Sequence, residues 1–542
     1  MHRYLVYLLA IILLPVSLVL AINWWPAWYW GAALCAAMVA IGTVDLLQTR
    51  SALRRNYPVL VHFRYFFESI GPEIRQYFVQ SDLEDVPFSR QERSLVYRRS
   101  RNEMDVLPFG TLRSAYQVDY EWINHSMRPA RIDNTDFRIT IGGPACTQPY
   151  SASVFNISAM SFGALSANAV RALNGGAKLG NFAQDTGEGS ISPYHRERGG
   201  DLIWEIGSGY FGCRDAEGRF SEERFVANAQ LDQVKMIEIK LSQGAKPGHG
   251  GVLPAAKVSK EIAATRGVPM GVDCVSPPGH SAFSTPVELL QFVERLRKLS
   301  GGKPVGFKLA IGHPWEWFAI AKAMQETGLM PDYIVVDGAE GGTGAAPVEF
   351  MDHVGVPMNE ALMLVHNTLV GLNMRQHIHI GAAGKITSAF DIARTMAMGA
   401  DWCNAGRAFM FALGCIQALS CHTDKCPTGI ATQDQARSNN LDPAVKTVRV
   451  FNYHRNTMRA LGELLSAAGL THTSQLGPEH ILRRVSPTQI RSLGSLYRFL
   501  EPGELLRGVP EHSVFRDYWP LADSSSFEPP QRIRALRESR MH

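Results

Sequence analysis

The sequence predicts an α/β protein: a (β/α)8 TIM barrel, preceded by an N-terminal two-helix transmembrane hairpin and a helical pre-domain. Three observations carry that prediction. From residue 154 onward, short β-branched or apolar runs alternate with amphipathic stretches of helical length, the pattern of a parallel sheet with crossover helices. Glycine-rich turns follow several of those runs. Ahead of them lie two uncharged runs, Tyr4 to Ile22 and Trp28 to Val44, each close to the roughly 20 apolar residues that cross a bilayer.

The hairpin comes first in the chain. Trp24, Trp25, Trp28, Tyr29 and Trp30 crowd the turn between the two runs, where an aromatic belt sits. Arg3 precedes the pair and Arg50, Arg54 and Arg55 follow it, so the positive-inside rule puts both ends in the cytoplasm. A cleaved signal peptide ending near Ala21 is the rival reading, but it leaves a stub of a few residues before the second run. The expectation is a hairpin in the inner (cytoplasmic) membrane with the catalytic part in the cytoplasm. Only Asp45, at its edge, is charged, which does not suggest transport. The expected organisation is a hairpin anchor over 1–49, a helical pre-domain over 50–134, the barrel over 135–440, and a helical extension and tail over 441–542.

Eight runs are assigned to barrel strands: 154–158, 181–185, 236–241, 271–275, 305–309, 333–337, 377–381 and 401–405. Residues 194–235 read as an insertion between the second and third. Phe137 to Thr140 reads as a cap strand. The helices between strands are placed at Pro286–Lys298, His313–Thr327, Asn359–Asn373 and Ser388–Met398.

Barrel chemistry sits in the loops after the strands. SQGAKPGHGG (242–251), GAEGGTGAAP (338–347), GAAGK (381–385) and GRAF (406–409) occupy such places. Glycine alone marks tight turns, but three adjacent glycine-rich loops let backbone N–H groups approach a phosphate and favour a phosphorylated cofactor. Arg407 adds a charge-assisted contact. Lys308 stands in the fifth strand between apolar neighbours, and a buried lysine calls for a partner. That partner is either a flavin N1–C2=O edge or an internal carboxylate.

Cys415, Cys421 and Cys426 follow at C-x5-C-x4-C spacing, with Pro427 behind the last, and use three of the eight cysteines in 542 residues. Three thiolates ending in Cys-Pro suit iron–sulfur ligation. Zinc wants a fourth ligand, and His422, adjacent to Cys421, can hardly reach the same metal. On spacing alone, iron–sulfur ligation and three buried thiols stand level.

Taken in order, MSFGALS (160–166), TGEGS (186–190), KLSQGAKPGHGGVLPAAKVSKEIA (240–263), SPP (276–278), FKLA (307–310), EGGTGAAP (340–347) and the cysteine run through Gln433 resemble the synthase domain of glutamate synthase over roughly 135–460. The resemblance implies FMN and a 3Fe-4S cluster ligated by Cys415, Cys421 and Cys426. FMN contacts fall on Met160, Ser161, Gln243, Lys308, Gly341, Gly342, Thr343, Gly344, Gly384, Gly406 and Arg407. Substrate contacts fall on Glu188, Lys246 and Arg266. The implied reaction reduces 2-iminoglutarate, formed from 2-oxoglutarate and ammonia, to L-glutamate.

The chain departs from that family in places. It begins Met-His-Arg with an apolar hairpin, not with the cysteine of a glutamine-hydrolysing domain. His249 stands where Glu is usual, and Val252 where a substrate-binding Gln is usual. Ser190-Ile191-Ser192 replaces a Gly-Glu-Asp-like run. No GxGxxG occurs, so the implied electron donor is a partner protein, a ferredoxin or a flavoprotein subunit. The net charge of +4, from 54 basic and 50 acidic residues without a basic run, gives no footprint for nucleic acid. A competing reading is a membrane-anchored FMN/Fe-S dehydrogenase of an amino or 2-hydroxy acid that passes electrons to a membrane carrier. A retired scaffold is disfavoured, because it has no reason to keep Lys246, Arg266 and Lys308.

Overall fold

The computed structural model describes residues 2–48, 51–83 and 87–535. Two compact units divide at residues 86 and 87. Arg50 lies outside the described residues.

In the first unit, α1 (Leu5–Asn23) and α2 (Trp28–Leu47) form the expected hairpin, each long and apolar enough to cross a membrane. They close tightly because Gly42 carries no side chain: a Cβ there would fall 2.2 Å from the Tyr7 ring. At the next residue, the Tyr7 hydroxyl meets Thr43 Oγ1 at 2.8 Å. After a short helix, Ala52–Asn56, the longer helix α3 (Leu60–Ile74) follows in this unit.

The second unit is built on a closed barrel of eight parallel strands in sequential order. They are β1 (Phe155–Ile157), β2 (Gln184–Asp185), β3 (Leu202–Ile206), β4 (Val234–Lys240), β5 (Val305–Leu309), β6 (Tyr333–Asp337), β7 (His379–Ala383) and β8 (Trp402–Ala405). Closure comes from β8 pairing with β1, Ala405 against Ile157. Strands buried on both faces read as apolar runs, and all five residues of β3 and β5 are buried.

The assignment differs from the sequence-based one at one strand. Residues 271–275 do not enter the barrel: Cys274–Val275 pairs antiparallel with Val252–Leu253 in a separate two-stranded patch. The missing strand is β3, inside the stretch taken for an insertion. A four-residue helical turn, Pro193–Arg196, connects β2 and β3 in place of the full crossover helix found elsewhere in the barrel. The loop 242–251 therefore follows the fourth strand, not the third. The cap strand is Arg138–Ile141, paired with Tyr150–Ser153.

Helices surround the barrel: α4 (Arg90–Arg101), α5 (Ala167–Gly180), α6 (Glu222–Ala229), α7 (Pro286–Leu299), α8 (Pro314–Thr327), α9 (Met358–Gly371), α10 (Ala389–Ala397), α11 (Arg407–Leu413) and α12 (Pro443–Ala467). Gly176 of α5 lets α12 close in, since a Cβ there would lie 2.3 Å from Val450. Beyond α12 the chain is not wholly helical: Ile481–Ser486 and Gln489–Ser492 form a hairpin, and its first strand pairs with Glu121–Ile123.

His454 of α12 stacks on Phe182 at 3.9 Å and is 4% exposed. Burial pushes its pKa down to about 3, so it stays neutral in the folded state. The unfolded chain takes that proton near pH 6.5, so stability falls as pH drops from about 6.5 toward 3, by at most roughly 1.4 kcal/mol per pH unit. His454→Phe keeps the stack and removes the proton. Its melting temperature is expected to fall less than the native protein's between pH 7.5 and 4.5.

Candidate active site

The loops after β1, β2 and β4 meet at the C-terminal mouth of the barrel. Gly187, at φ +65°, brings the TGEGS loop onto the β1 loop: a Cβ there would lie 2.6 Å from Ser161 N. Gly244 N donates to Asp337 Oδ2 at 2.8 Å and ties the β4 loop to the end of β6. A Cβ on Gly244 would fall 1.8 Å from the Gly338 carbonyl, so this crossing tolerates no side chain.

A small cleft opens here, lined among others by Glu188, Ser208, Lys240, Gln243 and His249. Glu188 pairs with Lys240 at 3.1 Å, both largely buried. Burial opposes the Glu188 carboxylate, but Lys240, Arg266 and Lys246 overcome it and hold its pKa below the usual value. Lys246 is 2% exposed and donates to the Gly250 carbonyl at 2.9 Å. Burial lowers its pKa, with Glu188 acting the other way.

Arg266 ends the helix Lys260–Arg266, which Ser259 caps and Gly267 stops in a left-handed turn. Its Nη2 donates to Ser161 Oγ at 3.3 Å and the Phe162 carbonyl at 3.1 Å, and the guanidinium lies over the Phe211 ring. Glu188, Lys246 and Arg266 thus converge as expected. Lys240 joins them and was missed, because a lysine at a strand end shows no role until Glu188 is placed opposite it. His280 was missed too. It contacts the Lys240 carbonyl at 2.9 Å and Tyr210 at 3.1 Å, and burial lowers its pKa to about 4, so it is neutral near pH 7.

Lys308 finds the internal carboxylate partner. Its ammonium pairs closely with Glu205 and lies 3.5 Å from Glu238. Asp185 completes the group, its ligand atom within 4.8 Å of those of Glu205 and Glu238. Burial opposes the Lys308 charge, yet the surrounding carboxylates carry its pKa well above the ordinary value. The same burial pushes Asp185 up strongly and Glu238 up to about 7.

At the glycine loops, a Cβ on Gly341, Gly342 or Gly406 would meet no atom closer than 3.7 Å. A side chain would fit at all three in ordinary van der Waals contact, so packing within the chain does not require glycine there, and bare backbone N–H groups are what a phosphate cradle uses. Gly384 is glycine for packing, since a Cβ would lie 2.9 Å from Met358 Sδ. Gly344 rests on the cysteine loop, 3.1 Å from Cys421 by the same measure. Arg407 joins the two regions: Nη2 donates to the Gly342 carbonyl at 3.0 Å and Nη1 lies 4.0 Å from Cys421 Sγ.

The cysteine loop is fastened on several sides. Lys257 Nζ donates to the carbonyls of Cys421 at 2.9 Å and Ala431 at 3.2 Å. Ser166 reaches the Gly429 carbonyl, and Gln433 the carbonyls of Gly163 and Leu165. The Gln417 N–H donates to Cys415 Sγ at 3.4 Å, and Thr428 lies 3.4 Å from Cys426 Sγ. Sulfurs presented to such donors fit iron–sulfur ligation.

Residues 135–471, more than half of the chain, match the family described as the conserved region in glutamate synthase. The chain belongs to the glutamate synthase family. Membership makes it an oxidoreductase of the class acting on CH–NH2 donors. The glutamate synthase large subunit-like protein YerD of Bacillus subtilis is 37% identical over 493 residues, covering 83% of this chain and 93% of that protein. An archaeal-type glutamate synthase [NADPH] of Thermotoga neapolitana is 36% identical over 330 residues, 60% of this chain and 62% of its own length. The glutamate synthase [NADPH] large chain of Azospirillum brasilense is 30% identical, and the match spans only 21% of that chain.

Proposed function

We propose that this glutamate synthase family member reduces 2-iminoglutarate, formed from 2-oxoglutarate and ammonia, to L-glutamate on a barrel held at the membrane by α1 and α2. The observation that carries the reading is the charge gathered around Glu188 at the cleft: Glu188 and Lys240 line it, and Lys246 and Arg266 are buried nearby. Glu188 stands among Lys240, Lys246 and Arg266. Three cations against one carboxylate leave an excess of two positive charges, which complements a 2-oxo dicarboxylate.

FMN on the glycine cradle supplies hydride chemistry when bound, and a three-iron cluster on Cys415, Cys421 and Cys426 supplies its electrons. The chain's own residues bind and orient the substrate. Arg266 holds one carboxylate with its planar fork while Phe211 keeps the guanidinium flat. Lys246 Nζ, made more acidic by burial, offers a proton to the forming amino acid. Gly207 and Gly251 crowd Glu188 and fix its carboxylate, their would-be Cβ atoms lying 2.8 Å and 2.0 Å from its oxygens. Electrons come from a ferredoxin-like protein or a flavoprotein subunit.

One observation favours the opposite direction, a dehydrogenase feeding a membrane carrier. Val252, paired with Val275, puts an apolar residue directly after Gly251 at the charged cluster. Anaerobic turnover with 2-oxoglutarate, ammonium and reduced methyl viologen decides between them. Formation of glutamate supports the synthase. Flavin bleaching by amino or 2-hydroxy acids, without glutamate formation, supports the dehydrogenase.

Cys421→Ser is expected to lose iron and keep FMN, because the cradle is built from other loops. Metal analysis and the flavin spectrum read both. Loss of neither would remove the ligand assignment.

A further inference from the structure

The helix α3 has three faces, and only one of them holds it in place. Asp45, near the end of α2, is 1% exposed. It accepts the Val59 N–H at 3.1 Å and meets His62 Nε2 at 2.9 Å. Val61 is buried on the same side, and the Tyr65 hydroxyl reaches Ser51. A second face is polar, with Arg64 and Glu68 paired at 2.7 Å one turn apart. The third face is apolar and uncovered. Phe63, Phe66, Phe67 and Ile74, at helical spacing, are 60%, 54%, 59% and 39% exposed, and Phe78 beyond the helix end is 85% exposed.

We infer that α3 is an interfacial helix whose aromatic face lies in the headgroup–acyl boundary of a bilayer. This rests on the reading of α1 and α2 as membrane-spanning. Three observations select lipid as the occupant. Asp45 sits two residues before the end of α2, so its bonds to Val59 and His62 start α3 at the level where the chain leaves the hydrocarbon. The apolar face then continues the apolar surface of the hairpin. The exposed residues are mostly phenylalanine, and the exposed cations Arg55 and Arg75 stand before and after the helix at headgroup level, while Arg64 is paired with Glu68 and Glu73 is an exposed carboxylate. The Asp45–His62 contact is then an elbow that sets the helix against the hairpin, and the buried carboxylate has a structural role.

The test uses the full chain in vesicles of phosphatidylcholine and phosphatidylglycerol. The photocrosslinker p-benzoylphenylalanine replaces Phe66, Glu68 on the polar face, or Ile12, which is 61% exposed in α1. Irradiation is expected to give phospholipid adducts at positions 12 and 66 and none at 68, read by mass. Lipid adducts at 12 with chain-to-chain adducts at 66 would overturn the inference in favour of a second copy. Adducts at 12 with none at 66 would overturn it outright. No lipid adduct at 12 would bring down the hairpin reading itself, and the inference with it.

Discussion

Lys308→Met is expected to destabilise the barrel by about 3–5 kcal/mol at pH 8, the usual cost of removing one partner from a buried ion pair. Lys308 is the cation that Glu205, Glu238 and Asp185 share inside the barrel, and all four side chains are buried. Without it, the carboxylates must stay protonated or stand charged in a dry interior. The raised pKa values of Glu238 and Asp185 fix the pH dependence. A carboxyl whose folded pKa exceeds its unfolded one contributes stability below the unfolded value, near 4.5 for Glu, and loses it as pH rises through the folded value. In the variant that folded value moves higher than the native value of about 7 for Glu238. The penalty is therefore expected to shrink at pH 5 and to grow toward pH 8, and melting curves at both values measure it. An equal loss at both would mean that Lys308 acts by packing and not by charge. The FMN content of the variant tests the separate expectation that the same ammonium faces the flavin edge.

Arg266→Ala is expected to lower kcat/KM for 2-oxoglutarate by about 2–5 kcal/mol, or roughly 30-fold to several thousand-fold, as for a truncated buried charge partner. The guanidinium is committed on one side to Ser161 and Phe162 and on its face to Phe211, while its Nε has no protein partner. Those contacts hold it flat beside Glu188. Arg266→Lys keeps the charge and loses the fork and the ring contact, so KM is expected to rise by more than kcat falls. The assay is ammonia-dependent glutamate formation with flavin content measured in parallel. Loss of FMN along with activity would move Arg266 from the substrate to the flavin site.

Seven of the eight barrel strands were legible in the sequence, because a strand buried on both faces reads as an apolar run. The miss at Leu202–Ile206 has a physical cause. Glu205, the fourth of its five residues, breaks the run, and the residue that makes a carboxylate tolerable there, Lys308, lies 103 positions away. The false strand at 271–275 has the right composition, but composition does not say which neighbour it pairs with. In the site, Glu188, Lys246 and Arg266 were legible through motif order. Lys240 was not, because it looks like any charged residue at a strand end until Glu188 is placed opposite. The flavin-edge and carboxylate readings of Lys308 could not be separated without the closed barrel, which shows the carboxylates.

The pairing of β8 with β1 has a consequence for synthesis. Phe155–Ile157 is made early, yet one of its two edges gains its partner only when Trp402–Ala405 emerges from the ribosome. The clasp of Gln433 on Gly163 and Leu165 closes later still. Throughout that interval an apolar strand edge stands open, the kind of surface that recruits chaperones or aggregates. Translation stalled within the second half of the barrel should therefore leave nascent chains far more protease-sensitive than chains released after residue 433.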